Sequence, residues 1–109
     1  MNSCRAMTLT ENDHSNISIC EACKRIGLCY KNLVFGFYLE EYFIFCKKVN
    51  NINFHQEHIL LGNGQANVII DTHHSEIHFC LNAFEFVELS RILDESLIMI
   101  EVYDSLKIR

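Results

Sequence analysis

Apolar and polar residues alternate along the first third of the chain with a period of two, and then the period lengthens. In "NISIC" (16–20) Ile17 and Ile19 alternate with polar neighbours. "RIGLCYK" (25–31) sets Ile26 and Leu28 on one side, and "LVFGFYL" (33–39) sets Phe35, Phe37 and Leu39 on one side. Such alternation predicts three half-buried strands, the last two joined by a tight turn at Lys31-Asn32. From Glu40 the spacing becomes helical. "EEYFIFCKKVNN" directs Tyr42, Phe45, Val49 and Ile52 inward, with Glu40 and Glu41 opening the helix and Lys47 and Lys48 closing it, as the macrodipole favours. Phe43 and Cys46 lie off that stripe, and Phe43 is expected to pack beneath a neighbouring strand.

A similar succession follows. "HILLG", "ANVIID" and "EIHFCL" are predicted strands, separated by turns at Gly62-Asn63-Gly64 and at "THHS". The glycine turn is the strongest such signal, because its residues accept positive φ cheaply. "NAFEFVELSRILDES" then predicts a helix, with Asn82 as N-cap and Glu85 completing a capping box. Its inner stripe is read as Ala83, Phe86, Val87, Ser90 and Leu93, widened by Leu89, with Glu85, Glu88, Arg91 and Glu95 opposite. The tail from Leu97 to Tyr103 is apolar on both sides and predicts a last strand, covered on both faces or completed by another subunit.

A shift of about 42 positions lays Ile17 on Ile59, Ile26 on Val68, Phe37 on Phe79 and Leu39 on Leu81. The fold class expected is therefore α+β, with antiparallel meanders, two helices on one face, and two pseudo-repeated β-β-β-α halves (about 16–52 and 57–96). Residues 1–15 are polar and aperiodic and are read as a flexible lead-in to a single domain over 16–109.

Composition narrows the class. With 109 residues, 50% hydrophobic and 21% charged, the chain can fill one core and is globular. Its net charge of −5, from 9 basic and 14 acidic residues, argues against a nucleic-acid partner. No apolar run approaches the length of a membrane span. The opening segment has one arginine and no apolar core, so no export signal is expected. Six cysteines are present; Cys29, Cys46 and Cys80 sit in apolar stretches and are read as small hydrophobes, which suits a reducing cytoplasm.

Candidate chemistry concentrates in "SICEACKRIG". Cys20 and Cys23 form a C-x-x-C between two predicted strands, where the second half has Gly62-Asn63-Gly64-Gln65. A turn of this kind presents two thiolates to zinc. A redox C-x-x-C usually has its first thiol at a helix N-terminus, and no helix is expected after Cys23. Two reduced cysteines in an ordinary turn is the other reading. A structural zinc needs four ligands, and Cys4 and His14 could fold back to supply more, or a second copy could bring its own pair. His78, Cys80 and Glu76 would share a strand face near His73, His74 and Asp71, and His55 and His58 flank Glu57; both are lesser metal candidates. No nucleophile elbow, phosphate-binding glycine loop or H-E-x-x-H occurs.

The stretches "CEACKRIGLCYKNLVFGFYLEEYFIF" and "IHFCLNAFEFVELSRIL" resemble a family of small uncharacterised proteins from Bacteroidota, with C-x-x-C, a strand pair and a helix opening on an aromatic. The resemblance spans roughly residues 18–95 and implies a cytoplasmic bacterial protein without an established activity. At the first helix Glu40 stands where a hydroxyl cap would be expected. The reading reached is a non-enzymatic module that binds a protein partner or itself and holds a structural zinc at Cys20 and Cys23. The alternative is a metal- or thiol-dependent enzyme using that pair with a nearby histidine.

Overall fold

A computed structural model describes residues 5–108. Over the described residues the fold is mixed α+β, with antiparallel sheets of four and three strands and three helices. In chain order these are β1 (Ala6–Glu11), β2 (Ser15–Cys20), β3 (Ile26–Tyr30), β4 (Leu33–Phe37), α1 (Leu39–Asn50), α2 (Phe54–Glu57), β5 (Ile59–Leu60), β6 (Ala66–Asp71), β7 (His78–Asn82) and α3 (Ala83–Ile108). The chain divides into two compact units, Met1–Tyr42 with Ile92–Arg109, and Phe43–Arg91. These do not coincide with the halves drawn from the 42-residue shift.

In the first unit the sheet runs β1-β2-β3-β4. Its register stacks apolar residues in rows across the strands. Met7, Ile19, Ile26 and Phe37 form one row, and Ile17, Leu28 and Phe35 another. Ile17, Ile19, Ile26, Leu28, Phe35 and Phe37 are all buried. Burying each is worth about 1.5–3 kcal/mol, so this face drives the unit together. The opposite face carries Asn16, Ser18, Cys20, Gly27, Cys29, Val34 and Gly36. Tyr42, Ile92, Leu93 and Ile100 complete the core. Tyr42 meets Phe37 edge-on with centroids 5.4 Å apart. Its hydroxyl also pairs with Ser96 Oγ at full burial. Ser96 donates its single proton to Leu93 O at 2.7 Å, so Ser96 accepts from Tyr42.

In the second unit β5-β6-β7 buries Val68 against Leu81 and Ile70 against Phe79. Phe45 packs on Phe79 and Phe54 on Phe86, each with centroids 5.8 Å apart. The 61–65 turn closes with Leu61 N–H donating to Gln65 O at 2.9 Å, and Gly64 takes φ 84. The capping box forms as expected: Glu85 N–H donates to Asn82 Oδ1 at 2.8 Å, and Asn82 N–H to Glu85 Oε1 at 3.0 Å.

Several expectations are corrected. Residues 6–11, assigned to a flexible lead-in, form β1; Met7 and Leu9 alternate with Thr8 and Thr10, and β2 supplies the pairing. The tail is helix, not strand. No glycine or proline interrupts the chain from Ala83 onward, and Leu93, Ser96 and Ile100 fall at helical spacing on the buried side. That continuation rotates the inner stripe of α3: Leu89, Ile92 and Leu93 are buried and Val87 is exposed. On α1, Tyr42, Phe45 and Val49 are buried as predicted, Cys46 joins them, and Phe43 is exposed instead of covered. Cys80 is exposed where a small core hydrophobe was expected.

The two faces of the first sheet should respond differently to truncation. Leu28→Ala should cost about 2–5 kcal/mol in urea denaturation, and Val34→Ala within about 0.5 kcal/mol. Tyr42→Phe should cost about 1 kcal/mol, because Ser96 keeps its bond to Leu93. Comparable losses at Leu28 and Val34 would refute the assigned register.

Candidate functional site: the C-x-x-C turn

Cys20 ends β2, and the chain returns as β3 six residues later, at Ile26. The turn is tied at its base by Cys20 N–H donating to Arg25 O at 2.9 Å and by Lys24 N–H donating to Cys20 O at 2.9 Å. Within it Cys23 N–H points at the sulfur of Cys20, 3.4 Å away. A backbone donor aimed at sulfur stabilises negative charge there, as a thiolate ligand requires. Both residues are reduced; Cys20 is half-buried and Cys23 exposed. Strand parity matters here. Ser15, Ile17 and Ile19 turn into the core, so Cys20 falls on the face with Asn16 and Ser18. Neither thiol is packed in the hydrocarbon of the sheet, as the ordinary core role of cysteine would have it.

Three further contacts shape the turn. Ala6 pairs with Cys20 across β1–β2, and Glu21 N–H donates to Arg5 O at 3.0 Å, so the chain entering β1 runs beside the turn. Lys24 adopts φ 63, a left-handed conformation that costs a side-chain-bearing residue roughly 1 kcal/mol or more. Its ammonium donates to Glu21 O at 3.1 Å and to the hydroxyl of Tyr103 at 3.2 Å, and lies 4.9 Å from the Tyr103 ring centre. The Tyr103 contacts come from the last turns of α3. Arg25 stacks on Tyr38 at 4.4 Å, crossing the space above Gly36, where a Cβ would come within 3.5 Å of its guanidinium.

The upstream candidates part company. Cys4 lies outside the described residues. His14 sits in the β1–β2 turn, where its N–H donates to Asn12 Oδ1 at 3.0 Å and its carbonyl accepts from Lys31 N–H at 2.7 Å. That is the far end of β2, about 20 Å from Cys20 at the usual strand rise. His14 is therefore not brought to the cysteine pair of its own chain. Among the described residues no three His, Cys, Asp or Glu side chains converge to hold a metal ion.

The histidine clusters resolve into local bonds. His78 Nδ1 and Asp71 Oδ1 lie 2.9 Å apart on the exposed face of β6–β7, beside Cys80. Glu76 stays in the preceding turn, off the strand. Thr72 organises that turn, its hydroxyl 2.7 Å from Ile77 O and accepting from His74 N–H at 3.0 Å. His58 stacks on Phe54 and bonds its carbonyl, and Glu57 accepts from Asn53 N–H at 3.0 Å to cap α2.

Sequence reasoning found the thiol pair and missed Arg5, Lys24 and Tyr103 around it. The alternation of "AMTLTE" could have revealed the strand that brings Arg5 close. Nothing local to Tyr103 signals its contact with Lys24.

The architecture defines a small α+β protein of two antiparallel sheets with a thiol-bearing hairpin turn. The chain belongs to a family of unknown function, DUF6686, whose model matches residues 1–107. No curated protein and no solved structure was found to match it. No helix among the described residues is long and apolar enough to cross a membrane.

Removing the prop on Lys24 should loosen the turn. Tyr103→Ala is expected to raise hydrogen exchange at the Cys23 and Lys24 amides about fivefold, the equivalent of about 1 kcal/mol. Unchanged exchange at both amides would show that Lys24 holds its conformation without Tyr103.

Proposed function

We propose that this protein is a small non-enzymatic module of the cytoplasm that binds a protein partner or a second copy of itself, and that its β2–β3 turn clasps a structural zinc through Cys20 and Cys23. The observation that carries the metal reading is the turn itself: a backbone N–H is directed at the Cys20 sulfur, and strand parity turns Cys20 away from the core. Zinc prefers four nitrogen or sulfur ligands in structural sites. Cys4, outside the described residues, is the candidate third ligand that the sequence offers. The remaining position falls to a group from outside this turn, and a second C-x-x-C from another copy would satisfy a shared site in full.

Metal analysis of protein purified without chelator, combined with solution mass, tests this. About one zinc per chain in a monomer is expected for a site using Cys4, and about one per two chains in a dimer for a shared site. Cys20→Ser or Cys23→Ser should abolish the zinc in either case, and Cys4→Ser only in the first. Because cysteine thiols must lose their protons to bind, zinc should leave as the pH falls. Metal-free protein would remove the zinc reading. In the enzyme alternative the pair acts with a nearby histidine; it predicts one cysteine that reacts with a thiol reagent much faster than the others.

A further inference from the structure

Among the described residues only two that bear a side chain take a positive φ, Lys24 at 63 and Lys31 at 56, and each sits in a hairpin turn of the four-stranded sheet. For such residues the left-handed region is disfavoured by roughly five- to thirtyfold. Lys31 donates its N–H to His14 O at 2.7 Å, and its ammonium lies 5.5 Å from the ring centre of Tyr30, its neighbour in the chain. Lys24 reaches further. Its N–H donates to Cys20 O at 2.9 Å and its ammonium to Glu21 O at 3.1 Å, so it bonds two carbonyls of the loop that joins the two thiols. The same ammonium donates to the Tyr103 hydroxyl at 3.2 Å and lies 4.9 Å from that ring centre. The loop that carries Cys20 and Cys23 is thereby tied to a side chain near the end of α3, within one compact unit.

We propose that Tyr103 is a positioning residue for the zinc clasp, acting through Lys24. By bonding the Lys24 ammonium it keeps the loop in the conformation that sets a backbone N–H on the Cys20 sulfur and leaves the Cys23 thiol exposed. Zinc gathers its ligands into one tetrahedron. A loop already in the competent conformation needs no ordering when the metal arrives. A loop that samples several conformations binds with an affinity reduced by the fraction that is competent. Lysine at position 24 disfavours the left-handed conformation by itself, and its bond to Tyr103 restores the balance. The metal site thus answers to the end of α3: displacing Tyr103 frees the loop and weakens the clasp. This inference rests on the zinc reading of the Cys20–Cys23 turn.

The test is the zinc affinity of the full chain, measured at one protein concentration by competition with a chromophoric chelator. Circular dichroism shows that each variant is folded. Tyr103→Ala should weaken zinc about fivefold, the lower end of the left-handed cost. Tyr103→Phe keeps the ring and loses the oxygen, and should give a smaller loss in the same direction. Leu106→Ala, exposed one turn further on, should bind like wild type. The decisive comparison uses Lys24→Gly, because glycine takes the left-handed conformation readily. In that background Tyr103→Ala should change zinc affinity by less than about twofold, since a residue that acts through Lys24 has nothing left to act on. If Tyr103→Ala does not fold, the same comparison is made with Tyr103→Phe. A merely structural tyrosine would weaken zinc equally in both backgrounds, and that result overturns the proposal. So does wild-type affinity in Tyr103→Ala, or an equal loss in Leu106→Ala. Wild type that takes up no zinc sinks the metal reading and this inference with it; wild type that binds zinc and is indifferent to Tyr103 sinks this inference alone.

Discussion

The alternation of side chains across β2, β3 and β4 is the constraint from which the first unit follows. Six large apolar residues, Ile17, Ile19, Ile26, Leu28, Phe35 and Phe37, are buried together only in one register. A slip of one residue would expose every one of them, so the register is held by the full burial energy of the face. The parity of Cys20 is a consequence of that packing. With Ile17 and Ile19 committed inward, the last residue of β2 must face outward, and its thiol becomes available at the turn.

The turn is more than a link between two strands. Its base is closed by backbone bonds, its first sulfur receives a backbone donor, and its fifth residue, left-handed, is bonded to a tyrosine from a distant helix. Four residues suffice to reverse the chain, and a glycine at position 24 would do so without strain. Lysine there instead connects the turn to the end of α3.

The strand pairs and the first helix were legible because their signals are local. The segments around Ile17, Ile26, Phe35 and Val68 alternate in the way that sheets demand, and the Asn82–Glu85 box can be read from four letters. "SLIMIEVY" is rich in residues that suit a covered strand, and its helical spacing shows only when it is read onward from Leu93. A short apolar run carries both periods, and what decides between them is the helix already propagating from Asn82, which gains a bond for each residue added. "AMTLTE" was missed for the converse reason: threonine hides a strand pattern that pairing with β2 completes.

The sequence by itself determined which residues can make a core, where the chain turns, and that two thiols stand two residues apart between strands. Those follow from near-neighbour chemistry, which every stretch of chain carries with it. Only the tertiary structure decided that Arg5 lies at the turn and His14 at the opposite end of β2, and that Tyr103 is bonded to Lys24. Each of these depends on strand register, or on helix rotation against a sheet. Those are set by the sum of many burials over the whole unit, and no short stretch contains them.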